Sequence, residues 1–196
     1  MNNKFIKIIN KIPTLTTQRL TLRKIALNDY KDMYEYSKNE EVTRYLLWSP
    51  HADEGYTYRY IGHLQSEYKT GNFYDWAVVY TEHKKMIGTC GFTNFSIPNN
   101  SAEIGYVLNP KYWGMGIAPE AVNAVFDFGF NELKLNRIEA KYIYGNSRSR
   151  RVMEKCGMTF EGIHRSMIYN KGEYKDIGVC AILSYEYFFM NNKIYQ

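Results

Sequence analysis

The chain of 196 residues carries 25 Lys and Arg against 20 Asp and Glu, a formal net charge of +5, and is 45% hydrophobic and 16% aromatic. That composition excludes a disordered or collagen-like chain, neither of which holds enough apolar area for a core, and the length fits one domain that stands without disulfide or metal staples. The charge is local: between Lys134 and Lys155, seven basic residues (Lys134, Arg137, Lys141, Arg148, Arg150, Arg151, Lys155) stand against Glu139 and Glu154, an excess equal to that of the whole chain. A local excess points to a particular anionic partner.

Met1 to Ile12 alternates Lys and Asn with Phe and Ile. It lacks the apolar stretch of about 7–15 residues of a signal peptide, and no run of about 18 apolar residues occurs anywhere, so a soluble, unexported, cytoplasmic protein with no membrane partner is expected. Leu20–Lys24 alternates apolar and polar residues as a strand does. Asn28–Lys38 opens on a capping residue and places Tyr30, Met33 and Tyr34 at helical spacing, and Glu54–Lys69 reads as a second helix closed by Gly71. Trp76–Tyr80, Met86–Thr93 and Ala102–Leu108 read as strands joined by the polar turns Thr81–Lys85 and Ser96–Asn100, which pairs them antiparallel. After Gly114 the period changes, and Val122, Val125, Phe126 and Leu133 form one stripe of a helix that starts at Ala118 or Pro119. A strand Arg137–Tyr144, a helix Ser147–Cys156 stopped by Gly157, and a hairpin through Asn170-Lys171-Gly172 complete the order β-α-α-β-β-β-α-β-α-β-β. No repeat, low-complexity tract or linker divides the chain, so one domain is expected over residues 1–196.

Cys90, Cys156 and Cys180 are odd in number and form no CxxC pair, and His51, His63, His83 and His164 show no ligand spacing. Neither a disulfide framework nor a metal site is expected, and the histidines read as surface or loop residues. Cys156, at a helix end without a matched histidine, reads as a small packing group rather than a nucleophile.

Chemistry concentrates in Ser101–Val122, where a strand leads through Asn109-Pro110 into Gly114-Met115-Gly116 and then a helix. Two glycines let the backbone approach a ligand, and the open amides and positive dipole end of the helix start suit phosphate oxygens; the same string also serves as a plain strand-to-helix turn. The P-loop string is absent, and the Rossmann GxGxxG is broken by Pro119 and by the antiparallel strands before it.

The Lys111-Tyr112-Trp113-Gly114-Met115-Gly116 turn, with its strand and helix, resembles motif A of the GNAT superfamily of acetyl-CoA-dependent N-acetyltransferases, with Lys111 where the family has Gln or Arg. Asn146-Ser147-Arg148-Ser149 and Glu154-Lys155-Cys156-Gly157-Met158 resemble the family's NxxSxxxxEKxGF signature, with Met158 in place of Phe. Thr17-Gln18-Arg19-Leu20-Thr21-Leu22-Arg23 resembles the TxRLxLR start of the branch that includes ribosomal-protein N-terminal acetyltransferases. The three ordered matches span residues 17–187.

The resemblance implies a single α/β (α+β) domain: a mixed, mostly antiparallel sheet with a splayed central strand pair, flanked by helices. It implies acetyl-CoA as co-substrate, with pantetheine along the backbone of Tyr106, Val107 and Leu108 and pyrophosphate on the amides around Gly114, Met115, Gly116, Ile117 and Ala118. A backbone N–H of that strand would also stabilise the developing oxyanion. Asn146 matches the family residue that bonds the pantetheine amide, and as an Asn before a helix it also suits an N-cap. Arg151, with Arg148 and Arg150, is placed toward the 3′-phosphate side. Glu103 is the candidate base, acting directly or through water, and a strand-edge Glu facing solvent is its alternative. Ser149 is assigned to the leaving thiolate, because Met153 stands where many relatives carry a tyrosine. Tyr45, Trp48 and Tyr58 fall near the acceptor side.

The implied reaction is direct attack of a neutral primary amine on the thioester. An α-amine titrates at about 7.7–8.0 and a lysine at about 10.4, so an α-amine needs less help from a base. The N-terminal α-amine of a (ribosomal) protein is the favoured acceptor. A small amine such as a polyamine or aminoglycoside is the alternative, with which Asp53, Glu54 and Asp75 are compatible. A nucleic-acid or ribosome-binding module built on the basic cluster is the reading from another class, and the chain has no RNP-like or helix-turn-helix string to support it. Monomer and homodimer both remain open.

Overall fold

Two alternating sets of side chains divide the central strands between two cores. Along β3 (Tyr74–Tyr80), Tyr74, Trp76, Val78 and Tyr80 join one buried cluster while Ala77 and Val79 join another, the period of two that a sheet covered on both faces requires. The structure, a computed structural model, describes residues 12–70 and 74–192. The helix stop expected at Gly71 and nearly all of the Lys/Asn-rich start lie outside the described residues.

A two-residue strand β1 (Leu15–Thr16) and β2 (Leu20–Arg23) lead through a 3-10 turn at Leu27–Asp29 into α1 (Tyr30–Ser37), the short α2 (Glu40–Thr43) and α3 (Glu54–Thr70). After β3 come β4 (Lys85–Ser96), β5 (Ser101–Leu108), α4 (Ile117–Asp127) with a π-turn over Phe128–Glu132, β6 (Arg137–Ile143), α5 (Ser147–Lys155), β7 (Thr159–Asn170), β8 (Glu173–Leu183) and α6 (Ser184–Asn192). The expected elements are present. β1, α2 and α6 were not anticipated, and α4 starts at Ile117, which places Pro119 in its first turn, where a missing N–H costs no intrahelical bond.

The sheet has eight strands in the order β1-β2-β3-β4-β5-β6-β8-β7. Every pairing is antiparallel except β5 with β6, which is parallel and holds for only three residue pairs, Ser101–Arg137, Ala102–Ile138 and Glu103–Glu139. Beyond Glu103, β5 stays with β4 as far as Leu108, and β6 stays with β8 as far as Ile143. The sheet therefore opens into a V at its centre. α4 covers one face with Val122, Val125 and Phe126, and α1 and α3 cover the other with Met33, Tyr36, Ile61 and Leu64.

Close backbone approach beside the V depends on two glycines of β4. A Cβ on Gly88 would lie 2.2 Å from the Val107 carbonyl oxygen, and one on Gly91 would lie 2.3 Å from the Tyr74 carbonyl oxygen. Gly88→Ala must push β5 away from β4, and a loss of about 2 kcal/mol or more is expected in urea unfolding. An unchanged midpoint would show that β5 does not sit this close.

Candidate active site

The arm of the V formed by β5 runs into the phosphate-type turn. Gly114 and Gly116 both have positive φ, 78° and 75°, and Gly116 caps α4 in the left-handed region that glycine adopts without strain. The first amide of this stretch bonded inside the protein is that of Glu120, to the Gly116 carbonyl, so among the described residues the amides of Gly114, Met115, Gly116, Ile117 and Ala118 have no acceptor. Gly114, Met115 and Gly116 are exposed, and nothing lies within 4 Å of a Cβ built on Gly114. Open donors at the positive end of a helix fit a pyrophosphate, and the unpaired edge of β5 after Glu103 fits an extended amide-bearing arm.

The turn is held from behind by the TxRLxLR segment. Glu120, on the first turn of α4, accepts from Thr17 Oγ1 (2.6 Å), the Arg19 amide (3.0 Å) and Arg19 Nε (2.7 Å), while Arg19 Nη1 reaches the Met115 carbonyl at 3.0 Å. Burial raises the Glu120 carboxyl, but the bonds from Thr17 and Arg19 outweigh it and hold the group below its ordinary range. Sequence reading assigned no role to Arg19; here it anchors the helix start. Lys111, the departure from the family pattern, points to Glu35 of α1 at 2.8 Å rather than toward the turn.

Two contacts bridge the arms of the V, that of Tyr106 on the α4 face and that of Trp113, which packs against both cores. Asn146 Oδ1 accepts the Ser149 amide at 3.2 Å and so caps α5. Tyr106 of β5 donates its hydroxyl to the Ser149 carbonyl at 2.9 Å and lies 3.0 Å from Ser149 Oγ. Burial raises the Tyr106 phenol far above its ordinary value, so it stays a neutral donor. Trp113 bonds the Leu108 carbonyl through Nε1 at 2.8 Å, and Arg148 lies 4.4 Å over its ring while pairing with Glu41 of α2. Met153 is 1% exposed, a core residue. Cys156 is buried, donates to the Pro119 carbonyl, and has its thiol pushed up to about 12 by burial, which suits packing and not nucleophilic attack.

Glu103 stands where the β5–β6 pairing ends, on the α1/α3 face, and its carboxylate is bound by Lys141 at 2.7 Å. Lys141 also meets Glu139 (3.1 Å), and Arg137 bridges Glu139 and Glu161. The basic cluster seen in the sequence is thus largely neutralised from outside its own stretch, by Glu41, Glu103 and Glu161, with Arg150 paired to Glu154. Among the described residues, Lys134, Arg151 and Lys155 of that cluster carry no ion pair, and Arg151 is exposed on α5.

The α1/α3 face stays open to solvent along its middle. Asp75, Thr89, Gly105 and Val107 of the central strands are each partly accessible, while Trp76, Cys90 and Ile104 on the opposite face are 2% exposed or less. Tyr45 packs on Ile143, Ile177 and Val179 at the edge of this groove, Trp48 tilts against His51, and Tyr58 is an exposed ring edge-on to Tyr30. His51 lies in the loop before α3, as expected, but is buried there (7% exposed) and bonded to Thr57. No group of three or more His, Cys, Asp and Glu among the described residues could hold a metal, and no described helix is long and apolar enough to cross a membrane.

Residues 19–159 match the profile of the Acetyltransferase (GNAT) domain. The chain belongs to the GNAT family. It is 36% identical over 174 residues to the uncharacterized N-acetyltransferase p20 of Bacillus licheniformis, covering 89% of this chain and 98% of p20. A GNAT-family acetyltransferase structure from Bacillus anthracis superposes with a TM-score of 0.78 at 31% identity, covering 88% of this chain and 99% of that one. More distant relatives are the ribosomal protein uS5-alanine N-acetyltransferase of Escherichia coli (25% identical; 86% of this chain, 89% of the relative) and the spermidine N(1)-acetyltransferase of Vibrio cholerae (24%; 86% and 95%). The chain is accordingly an N-acetyltransferase of the GNAT type, a family that uses acetyl-CoA.

The contacts of Lys111 and Lys85 with Glu35 hold that carboxyl down to about 2 from an ordinary 4.5. A lowered carboxyl adds stability above its unfolded value and loses it as the folded group protonates, so this share vanishes between pH 4.5 and about 2. With solvent screening it amounts to about 1 kcal/mol. Glu35→Gln should flatten the acid limb of urea-midpoint against pH by that amount; an identical limb would remove the pairing.

Proposed function

We propose that this GNAT enzyme acetylates a primary amine by direct attack, with the N-terminal α-amine of a protein as its acceptor. The observation that carries the reading is the juxtaposition of three features: an unpaired β5 edge, five open amides at the α4 start, and a groove crossing to the opposite face of the same strands. The alanine N-acetyltransferase among the relatives supports a protein N-terminus, and the spermidine N-acetyltransferase supports the alternative of a small polyamine.

Acetyl-CoA supplies an acyl group activated as a thioester. The chain's own residues then divide the work. The backbone of Tyr106, Val107 and Leu108 offers strand-type bonds to the pantetheine, and Gly114, Met115, Gly116, Ile117 and Ala118 offer amides to the pyrophosphate. Asn146 spends Oδ1 on its cap, so its amide N–H is the group left for pantetheine. Arg151 serves the 3′-phosphate side.

Glu103 is the proton acceptor of this reading, bonded to Lys141 and reached from the amine through water. Ser149 donates to the departing sulfur in this reading: Tyr106 gives its proton to the Ser149 carbonyl, so the serine hydroxyl donates to the Tyr106 oxygen at 3.0 Å and turns from it to the sulfur as the thiolate leaves. The buried, protonated Cys156 supports direct attack over an acetyl-enzyme.

Mass spectrometry of acetyl transfer to a panel of peptides with free N-termini and small amines tests the acceptor; peptide products are expected, and a small-amine-only pattern would overturn the protein-acceptor reading. In the same assay Glu103→Gln should lower kcat by about 10²-fold with acetyl-CoA affinity unchanged. A Glu103→Gln enzyme of full activity removes the glutamate, and a Ser149→Ala enzyme of full activity removes the serine.

A further inference from the structure

The groove on the α1/α3 face holds a second carboxylate that the family motifs do not explain. Asp75 pairs in register with Gly91, and Gly91 with Gly105, so the two glycines lie side by side as a floor between β3 and the V. The Asp75 carboxylate leans over that floor: a Cβ on Gly91 would lie 2.7 Å from Asp75 Oδ1. One strand spacing, about 4.8 Å, then separates it from β5 at Gly105, and Glu103 stands two residues along β5 on the same face. Asp75 lies deep in the fold yet remains partly accessible, on the strand face that α1 and α3 leave open along its middle.

Its partners are few for a charged group so placed. The Trp76 amide donates to Oδ1 at 3.0 Å and Thr89 donates its hydroxyl, but among the described residues no Lys or Arg pairs with it. The other groups around it are Tyr36 of α1 and Tyr60 and Tyr68 of α3, with Cys90 of β4 behind it on the other face of the sheet, and burial raises all four and keeps them neutral. A deep carboxylate without a cation, ringed by tyrosines and opening on a groove, has the makings of an ammonium site.

We propose that Asp75 is the acceptor-binding residue, receiving the ammonium of the substrate on the Gly91–Gly105 floor, between itself and Glu103. This rests on the amine-acceptor reading above and deepens it: the acceptor docks in its cationic form, and Asp75 contributes to its affinity while Glu103 contributes to the rate. Burial raises the Asp75 carboxyl from 3.8 to about 7, with bonds from Thr89 and the Trp76 amide opposing the rise. Binding of a cation therefore strengthens as pH rises through about 7 and the carboxyl ionises.

The test is steady-state acetylation of a short peptide with a free N-terminal alanine, and of spermidine, between pH 6 and 7.5, by the wild-type enzyme and Asp75→Asn. For the wild type, KM for the amine should fall as pH rises. In Asp75→Asn, KM should rise tenfold or more and lose that slope, with kcat and the acetyl-CoA dissociation constant within twofold. Because a raised carboxyl destabilises the fold once ionised, Asp75→Asn should also melt above the wild type at pH 8, with the gap narrowing as pH falls toward 4. An unchanged KM in the variant, a wild-type KM without pH slope, or a variant that fails to fold would each overturn the proposal. A wild-type enzyme that transfers acetyl to neither amine overturns the amine-acceptor reading itself, and Asp75's role with it.

Discussion

The structure turns on where one strand pair stops bonding. Parallel β5 and β6 hold together for three residue pairs and then separate, each kept straight by its antiparallel neighbour on the other side. Backbone groups inside a sheet are ordinarily satisfied by the next strand, so an internal edge left open is costly unless something else bonds to it. The open edge runs directly into the α4 start, where a second set of amides is also unsatisfied. Both deficits suit a single extended, phosphate-bearing ligand, which is the physical ground for the proposed placing of acetyl-CoA there.

The remaining contacts set the width and sidedness of that opening. On the α4 face Tyr106 links the arms to Ser149 through a hydroxyl contact, and Trp113, which packs against both cores, links them to Arg148 through a cation–π contact. On the α1/α3 face, Glu103 and Lys141 link them through charge at the fork. The proposed acceptor groove and the proposed cofactor cleft thus lie on either side of the same few residues of β5. Most of the cations near the fork are consumed in this internal wiring, so the local +5 is in good part scaffold and not a general surface for polyanions.

Much of this was legible in the sequence. Alternation in Leu20–Lys24, the polar turns that join Trp76–Tyr80, Met86–Thr93 and Ala102–Leu108, the Gly-Met-Gly turn and the Asn146 cap are local signals, encoded within a few residues of where they act. What escaped was set by distant partners. Nothing near Glu103 announces that pairing with β6 ends there, and Lys141 is 38 residues away. The partners that neutralise the basic cluster, Glu41 and Glu161 among them, lie outside it. Arg19 looks like a surface arginine until Glu120, 101 residues on, is placed against it. α6 was missed because Tyr185, Tyr187, Phe188 and Phe189 crowd together without the spacing of a single apolar stripe. The sequence sets Asp75 beside Asp53 and Glu54 as an acid compatible with a small-amine acceptor; its depth and its glycine floor come from the register of three strands.

Amide hydrogen exchange with and without acetyl-CoA addresses the opened strand pair most directly. The account predicts fast exchange in the free protein and marked slowing on binding at residues 104–108 and 114–118, with α3 little changed. Saturating acetyl-CoA that leaves both segments exchanging as in the free protein would contradict it.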